Sequence, residues 1–189
     1  MKFDEYIKTS EEVLRKIDTS VIDKVIEILY KAYLDSRMVF FAGNGGSAAA
    51  ASHFCEDLSK GTQPDLGATK RFRALSLVDN VPYITAMSND EGYEYIFDQQ
   101  LICYASPGDV LVCISGSGNS KNVVRATEWA MKNDLTTIAI TGYDGGKIGA
   151  LADVNLHVPS FDMGLAEALH MVISHYITDR LKMKIMEGK

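Results

Sequence analysis

The chain has no long hydrophobic run. Nowhere in its 189 residues do about eighteen apolar residues stand together, so no membrane-spanning helix is expected. The opening MKFDEYIKTSEE carries acids where a secretory signal peptide needs an apolar stretch, which points to the cytoplasm. Basic runs are also missing. Nineteen Lys and Arg stand against 25 Asp and Glu, a net charge of −6, and this excludes nucleic acid as a direct partner to expect. Cysteine is scarce. Cys55, Cys103 and Cys113 have no metal-type spacing and sit in apolar contexts, so they read as buried free thiols in a reducing compartment. Neither nucleotide fingerprint, GxGxxG or GxxxxGK[ST], occurs.

What is present is a globular chain of 47% hydrophobic and 23% charged residues, long enough for one domain with a full core. We read residues 1–189 as that domain: a helical pair over 1–36, then an α/β core over 37–189 ending in a long helix. The pair spans Asp4 to Lys16 and a second helix capped by Ser20. Its broad apolar stripe, Ile22, Val25, Ile26, Ile28 and Leu29, exceeds what one sheet needs and suggests packing in an oligomer.

The stretch from Val39 to Leu58 organises the rest. An apolar run leads into Gly43-Asn44-Gly45-Gly46-Ser47, then into a helix with Ser47 as its expected N-cap. Strand, glycine turn and helix start form an anion site, because glycine lets the backbone approach and the free N–H groups favour negative charge. On the same helix His53 and Asp57 stand four apart and share a face. A second such unit follows: Val110 to Ile114 reads as a strand buried on both faces, then Ser115-Gly116-Ser117-Gly118-Asn119-Ser120, then a helix to about Asn133. Its serines can join backbone N–H groups in holding phosphate oxygens.

Between the two units, Gly61 to Lys70 reads as a loop and Arg73 to Leu77 as a strand. A short helix begins near Pro82, residues 88–92 form a polar break, and Tyr95 to Tyr104 is helical with Phe97, Leu101 and Ile102 inward. Thr136 to Ile140 and Val154 to Val158 are the last strands, and Met163 to about Met186 is the terminal helix, carrying Glu167, His170 and His175. Strands alternating with helices define a doubly wound α/β domain, whose ligands bind beyond the carboxyl ends of the strands.

GNGGS, His53 six positions after Ser47, SND at 88–90, ISGSGNS at 114–120, TGYDGGK at 141–147, ADV at 152–154 and VPS at 158–160 occur in an order that resembles the sugar isomerase (SIS) domain, and within it the phosphoheptose isomerase group. The resemblance covers almost the whole chain. It implies a five-stranded parallel sheet in a three-layer helical sandwich, a homotetramer (or homodimer) with sites at subunit interfaces, and a phosphosugar ligand. It implies interconversion of sedoheptulose 7-phosphate and a manno-heptose 7-phosphate for surface polysaccharide. By the same resemblance Ser115, Gly116, Ser117 and Ser120 hold phosphate. Asn44, Gly45, Gly46, Ser47, Asn89 and Asp90 meet the ligand, as does Glu167. His53 and His175 match the group's two site histidines. Two positions depart from the pattern: Asp57 stands where Glu is usual, and Glu167 where Gln is usual. Gly164, Leu165 and Ala166 replace a polar segment.

Ketose–aldose isomerisation needs a base to move a carbon-bound proton and an acid for the carbonyl oxygen. Asp57, Glu167 and His175 are the catalytic candidates. With His53 they also have the ligand types for a divalent metal, zinc foremost. Glu167 and His175 lie about 12 Å apart along a straight helix. Meeting at one ion therefore requires inward-leaning side chains, irregular helix at Glu167, or two subunits. His157 and His170 read as structural. The competing class is a non-catalytic SIS module that senses a phosphosugar or binds a protein such as a replication initiator. A dinucleotide-dependent dehydrogenase would fit the α/β pattern but not the absent fingerprint.

Overall fold

The computed structural model describes residues 2–63 and 65–188. Pro64, within the loop expected over 61–70, and the ends of the domain, Met1 and Lys189, lie outside the described residues. Five parallel strands run β1 (Met38–Gly43), β2 (Arg73–Ser76), β3 (Val110–Ser115), β4 (Thr136–Thr141) and β5 (Val154–His157), in the spatial order β2-β1-β3-β4-β5. β3 is buried along its whole length and β1 from Val39 onward, as strands covered on both faces must be. The order reverses between β1 and β3. A crevice opens there at the carboxyl ends of the strands, and the two Gly-rich loops leave from it.

Helices α1 (Phe3–Leu14), α2 (Thr19–Leu34), α3 (Gly46–Glu56) and α8 (Met163–Glu187) cover one face of the sheet. Helices α5 (Asp98–Tyr104), α6 (Lys121–Lys132) and α7 (Gly146–Leu151) cover the other, with α4 (Val81–Asp90) beside them. Two apolar cores result. One centres on Phe41, Phe54, Leu58 and Ile177, the other on Phe40, Phe97 and Leu101. The alternating side chains of β1 feed both, since Phe40 and Phe41 point to opposite faces.

Several local expectations are corrected. Asp18, not Ser20, caps α2; its carboxylate accepts the Ser20 amide at 2.9 Å. Gly45 is the cap residue of α3, with φ 55, and Ser47 is buried one position inside the helix. A left-handed backbone was needed at the cap, and that selects glycine over a side-chain cap. The polar break is shorter than expected, because α4 continues through Asp90 and ends before Gly92, whose φ is 132. Phe97 and Leu101 are buried, but Ile102 is 52% exposed and Cys103 is exposed beside it. The short α5 has only one face against the core. Cys55 and Cys113 are buried free thiols, pushed by burial up to about 11 and about 12.

His170 of α8 is fully buried, and neither ring nitrogen has a hydrogen-bond partner. The Thr141 backbone lies near enough to help the ring in part, but not to satisfy it. Burial therefore holds the imidazole below its ordinary 6.5. The unfolded chain binds that proton more readily, so stability is full above pH 6.5 and falls as pH drops below it. Each tenfold depression of proton affinity removes about 1.4 kcal/mol once both states are protonated. Urea melts between about pH 7.5 and 5.5 should show this loss in the wild type and a smaller one in His170→Met. Equal slopes would clear His170 of the effect.

Candidate active site at the sheet switch point

His53 and Asp57 project from the end of α3, where the helix passes into one π turn over Asp57–Gly61. Such turns re-aim side chains within a helix and are frequent at functional sites. His175 comes from the middle of α8, which packs against α3. Asp57 Oδ2 lies 3.4 Å from His53 Nε2 and 3.3 Å from His175 Nδ1. The two rings meet edge to face at 5.0 Å. The histidine side chains are about half exposed, at 47% and 54%, while Asp57 is at 17%. Asp57 Oδ2 is itself buried and makes no hydrogen bond. A buried carboxylate oxygen facing two imidazole nitrogens, with one ligand atom from each residue within 4.8 Å of the others, fits a divalent cation in donor type and spacing.

Glu167 is not brought into this cluster. It lies in regular helix, one turn inside α8, so the helix axis separates it from His175. Its carboxylate instead lies over Gly46, so close that a Cβ there would meet both oxygens. Gly46 with Glu167, and Asp57 with His175, are thus two stations along a pair of helices running the same way. The first turn of α3 favours an anion through its free N–H groups and dipole, and the protein supplies that anion itself. Glu167 therefore lies against the start of α3, beside the GNGGS loop. Gly46→Ala should leave folding nearly unchanged, because only the mobile end of Glu167 must yield, while lowering activity by displacing that carboxylate. Wild-type activity with an unchanged melting temperature would remove Glu167 from the site.

Among the described residues no carboxylate lies over Gly116 of the Ser115–Ser120 loop; the Met163 thioether lies there instead. Ser115 Oγ accepts the Gly118 amide at 3.1 Å, and Ser117 Oγ accepts the Asn119 amide at 3.3 Å. Gly118, at φ 64, passes against the Gly145 carbonyl with no room for a side chain. Lys147 N–H donates to Asn119 Oδ1, tying the loop to α7. Ser120 precedes α6, and its side chain makes no cap bond. The loop is held in shape by these bonds, and of the first-turn amides of α6 that of Val123 is taken by Asn122 Oδ1.

Asn44 stands between the two loops. It exchanges paired hydrogen bonds with Asn122 at 2.9 and 2.8 Å, and receives one from the Tyr93 hydroxyl at 2.8 Å. Sequence reasoning missed Tyr93 and Asn122. Asn122 sits just after the serine loop and carries no local sign of its partner, 78 positions away. Asn89 and Asp90 pair with each other at 2.8 Å on the exposed end of α4. His157 binds the Tyr143 carbonyl at 3.0 Å, a structural contact.

The SIS domain family pattern matches residues 3–142. The chain is 34% identical to a phosphoheptose isomerase of Helicobacter hepaticus over 191 residues, covering 99% of this chain and 93% of that protein. Among solved structures it resembles phosphoheptose isomerase GmhA from Neisseria gonorrhoeae, with 32% identity and a TM-score of 0.85 over 95% of this chain and 94% of that one. It also resembles a phosphoheptose isomerase from Francisella tularensis, with 27% identity and a TM-score of 0.87 over 96% and 94%. With a parallel sheet of order 2-1-3-4-5, a serine loop at its switch point, a His–Asp–His cluster on α3 and α8, and similarity to these enzymes over nearly its whole length, the chain belongs to the SIS-domain family, in the phosphoheptose isomerase group.

Proposed function

We propose that the protein is a phosphosugar isomerase that interconverts sedoheptulose 7-phosphate and its aldose partner, a manno-heptose 7-phosphate. The observation that carries this reading is the His53–Asp57–His175 cluster. A module that only binds phosphosugar needs the serine loop but has no use for an unpartnered buried carboxylate oxygen held between two imidazoles.

In this reading Ser115, Gly116, Ser117 and Ser120 hold the phosphate. Asn44, Gly45, Gly46 and Ser47 line the sugar, with Glu167 over Gly46 receiving its hydroxyls. Asn89 and Asp90 belong to the same ligand-facing set. Asp57 takes the proton from one carbon and returns it to the next. His175 moves the proton between the two oxygens. Both transfers need the groups within hydrogen-bond reach of one enediol.

With a divalent metal bound, which we propose to be zinc, the same three residues would serve as its ligands, and the ion would polarise the substrate carbonyl in place of a proton from His175. Protein prepared without chelators should carry about one zinc per chain by elemental analysis. No metal after incubation with zinc would leave Asp57 and His175 to act alone.

The apolar stripes of α1, α2 and α8 support a homotetramer or homodimer: Leu14, Val172 and Tyr176 are exposed around a cavity of about 360 Å³ that also includes Ile22 and Ile173. Among the described residues no helix is long and apolar enough to cross a membrane.

The test is proton exchange. Enediol chemistry washes substrate C–H into deuterated water, so NMR of sedoheptulose 7-phosphate with the protein should show both isomerisation and deuterium incorporation. Binding with neither would replace the isomerase reading by a phosphosugar-sensing or protein-binding module.

A further inference from the structure

The polarity of the Asn44 carboxamide is set by a chain of hydrogen bonds that starts on the backbone. Asn122 Oδ1 accepts the Val123 amide at 3.0 Å, and a backbone N–H can only donate. That identifies the oxygen of Asn122. Its Nδ2 must then donate to Asn44 Oδ1, and its oxygen must accept from Asn44 Nδ2. Tyr93 fills the second lone pair of Asn44 Oδ1 by donating its phenol proton. The Asn44 oxygen is saturated, and one of its two N–H donors is spent. One N–H remains, on a residue that lines a cavity of about 380 Å³ with Tyr93, Glu94, Ser120, Lys121 and Asn122.

We propose that Asn122 and Tyr93 are positioning residues that fix Asn44 as a donor-only group, so that the sugar atom it meets must be an acceptor oxygen. The proposal rests on the isomerase reading for the identity of the sugar, but not for the geometry. Asn122 is suited to the role because it is 2% exposed and belongs to the first turn of α6, directly after the phosphate loop. Tyr93 is suited because it is 52% exposed, so its ring contributes little to the core. It follows Gly92, whose φ of 132 turns the chain toward the loop. The three residues come from three separate segments, and their bonds lock the glycine loop to the serine loop. The distance between the sugar and phosphate ends of the site is thereby fixed.

Two variants test this. Tyr93→Phe removes one bond and frees a lone pair. Asn122→Asp keeps the acceptor for Val123 and Asn44 N–H but cannot donate to Asn44 Oδ1. Since one hydrogen bond in a protein is worth a factor of about 2 to 10, Tyr93→Phe should raise KM for sedoheptulose 7-phosphate by about fivefold with kcat nearly unchanged. Asn122→Asp should raise it further. Inhibition by inorganic phosphate should not move in Tyr93→Phe, because the serine loop is untouched. The ligand-free readout is the Asn44 side-chain amide in nitrogen-15 NMR. It should shift in both variants, and in Asn122→Asp it should exchange between orientations. An unmoved Asn44 resonance in both variants, or a phosphate inhibition constant that rises in step with KM, would overturn the proposal. A wild type that binds without turning over would sink the isomerase reading alone, since the amide resonances still report on Asn44.

Discussion

His175→Ala should lower kcat by about 10² to 10⁴, the worth of a positioned acid or base, while the affinity for phosphosugar changes little. The argument is one of position. His175 Nδ1 is 3.3 Å from Asp57 Oδ2, at the far end of the helix pair from Glu167, and its side chain is 54% exposed. Removing an exposed ring costs the fold almost nothing, so the loss would be read in turnover and not in the melting temperature. Steady-state kinetics and deuterium incorporation should fall together, because both depend on the same proton transfers. Asp57→Asn should behave alike, since its amide cannot take a proton from carbon. Undiminished turnover in His175→Ala would take the cluster out of the chemistry.

Ser117→Asp should abolish phosphosugar binding in calorimetry. Two like charges about 4 Å apart near a protein surface repel by about 4 kcal/mol, or roughly three orders of magnitude in affinity, and a phosphate dianion doubles the repulsion. The fold should survive, because an aspartate at 117 can still accept the Asn119 amide that Ser117 accepts now. Ser117→Ala, by contrast, forfeits one hydrogen bond to a charged group and should lose only about 10- to 100-fold. The gap between the two variants separates a phosphate loop from a loop that merely tolerates serine. Unchanged affinity in Ser117→Asp would move the phosphate elsewhere.

The serine loop and the glycine loop look equivalent as strings of residues: each follows a buried strand, and each opens a helix. Glu167 makes them different by covering Gly46, and it comes from more than a hundred positions later in the chain. That contact also explains why the four candidate metal ligands divide into a cluster of three and a separate carboxylate.

What the chain determined by itself was whatever depends on near neighbours. Apolar runs and turn residues marked all five strands to within one residue at their ends. The four-residue spacing of His53 and Asp57 placed them on one helix face, because 3.6 residues make a turn whatever surrounds it. The strong turn signals of SGSGNS marked a loop between strand and helix, and α6 begins just after it. Tertiary structure decided everything that joins distant segments: His175 to Asp57, Glu167 to Gly46, Tyr93 and Asn122 to Asn44. It also decided which side of α5 faces water, and so exposed Ile102 and Cys103. The physical reason is range. Backbone sterics and helical periodicity act over a few residues and are written locally, whereas a side chain's partner across the crevice depends on how α3, α6 and α8 seat on the sheet, which the whole core settles at once.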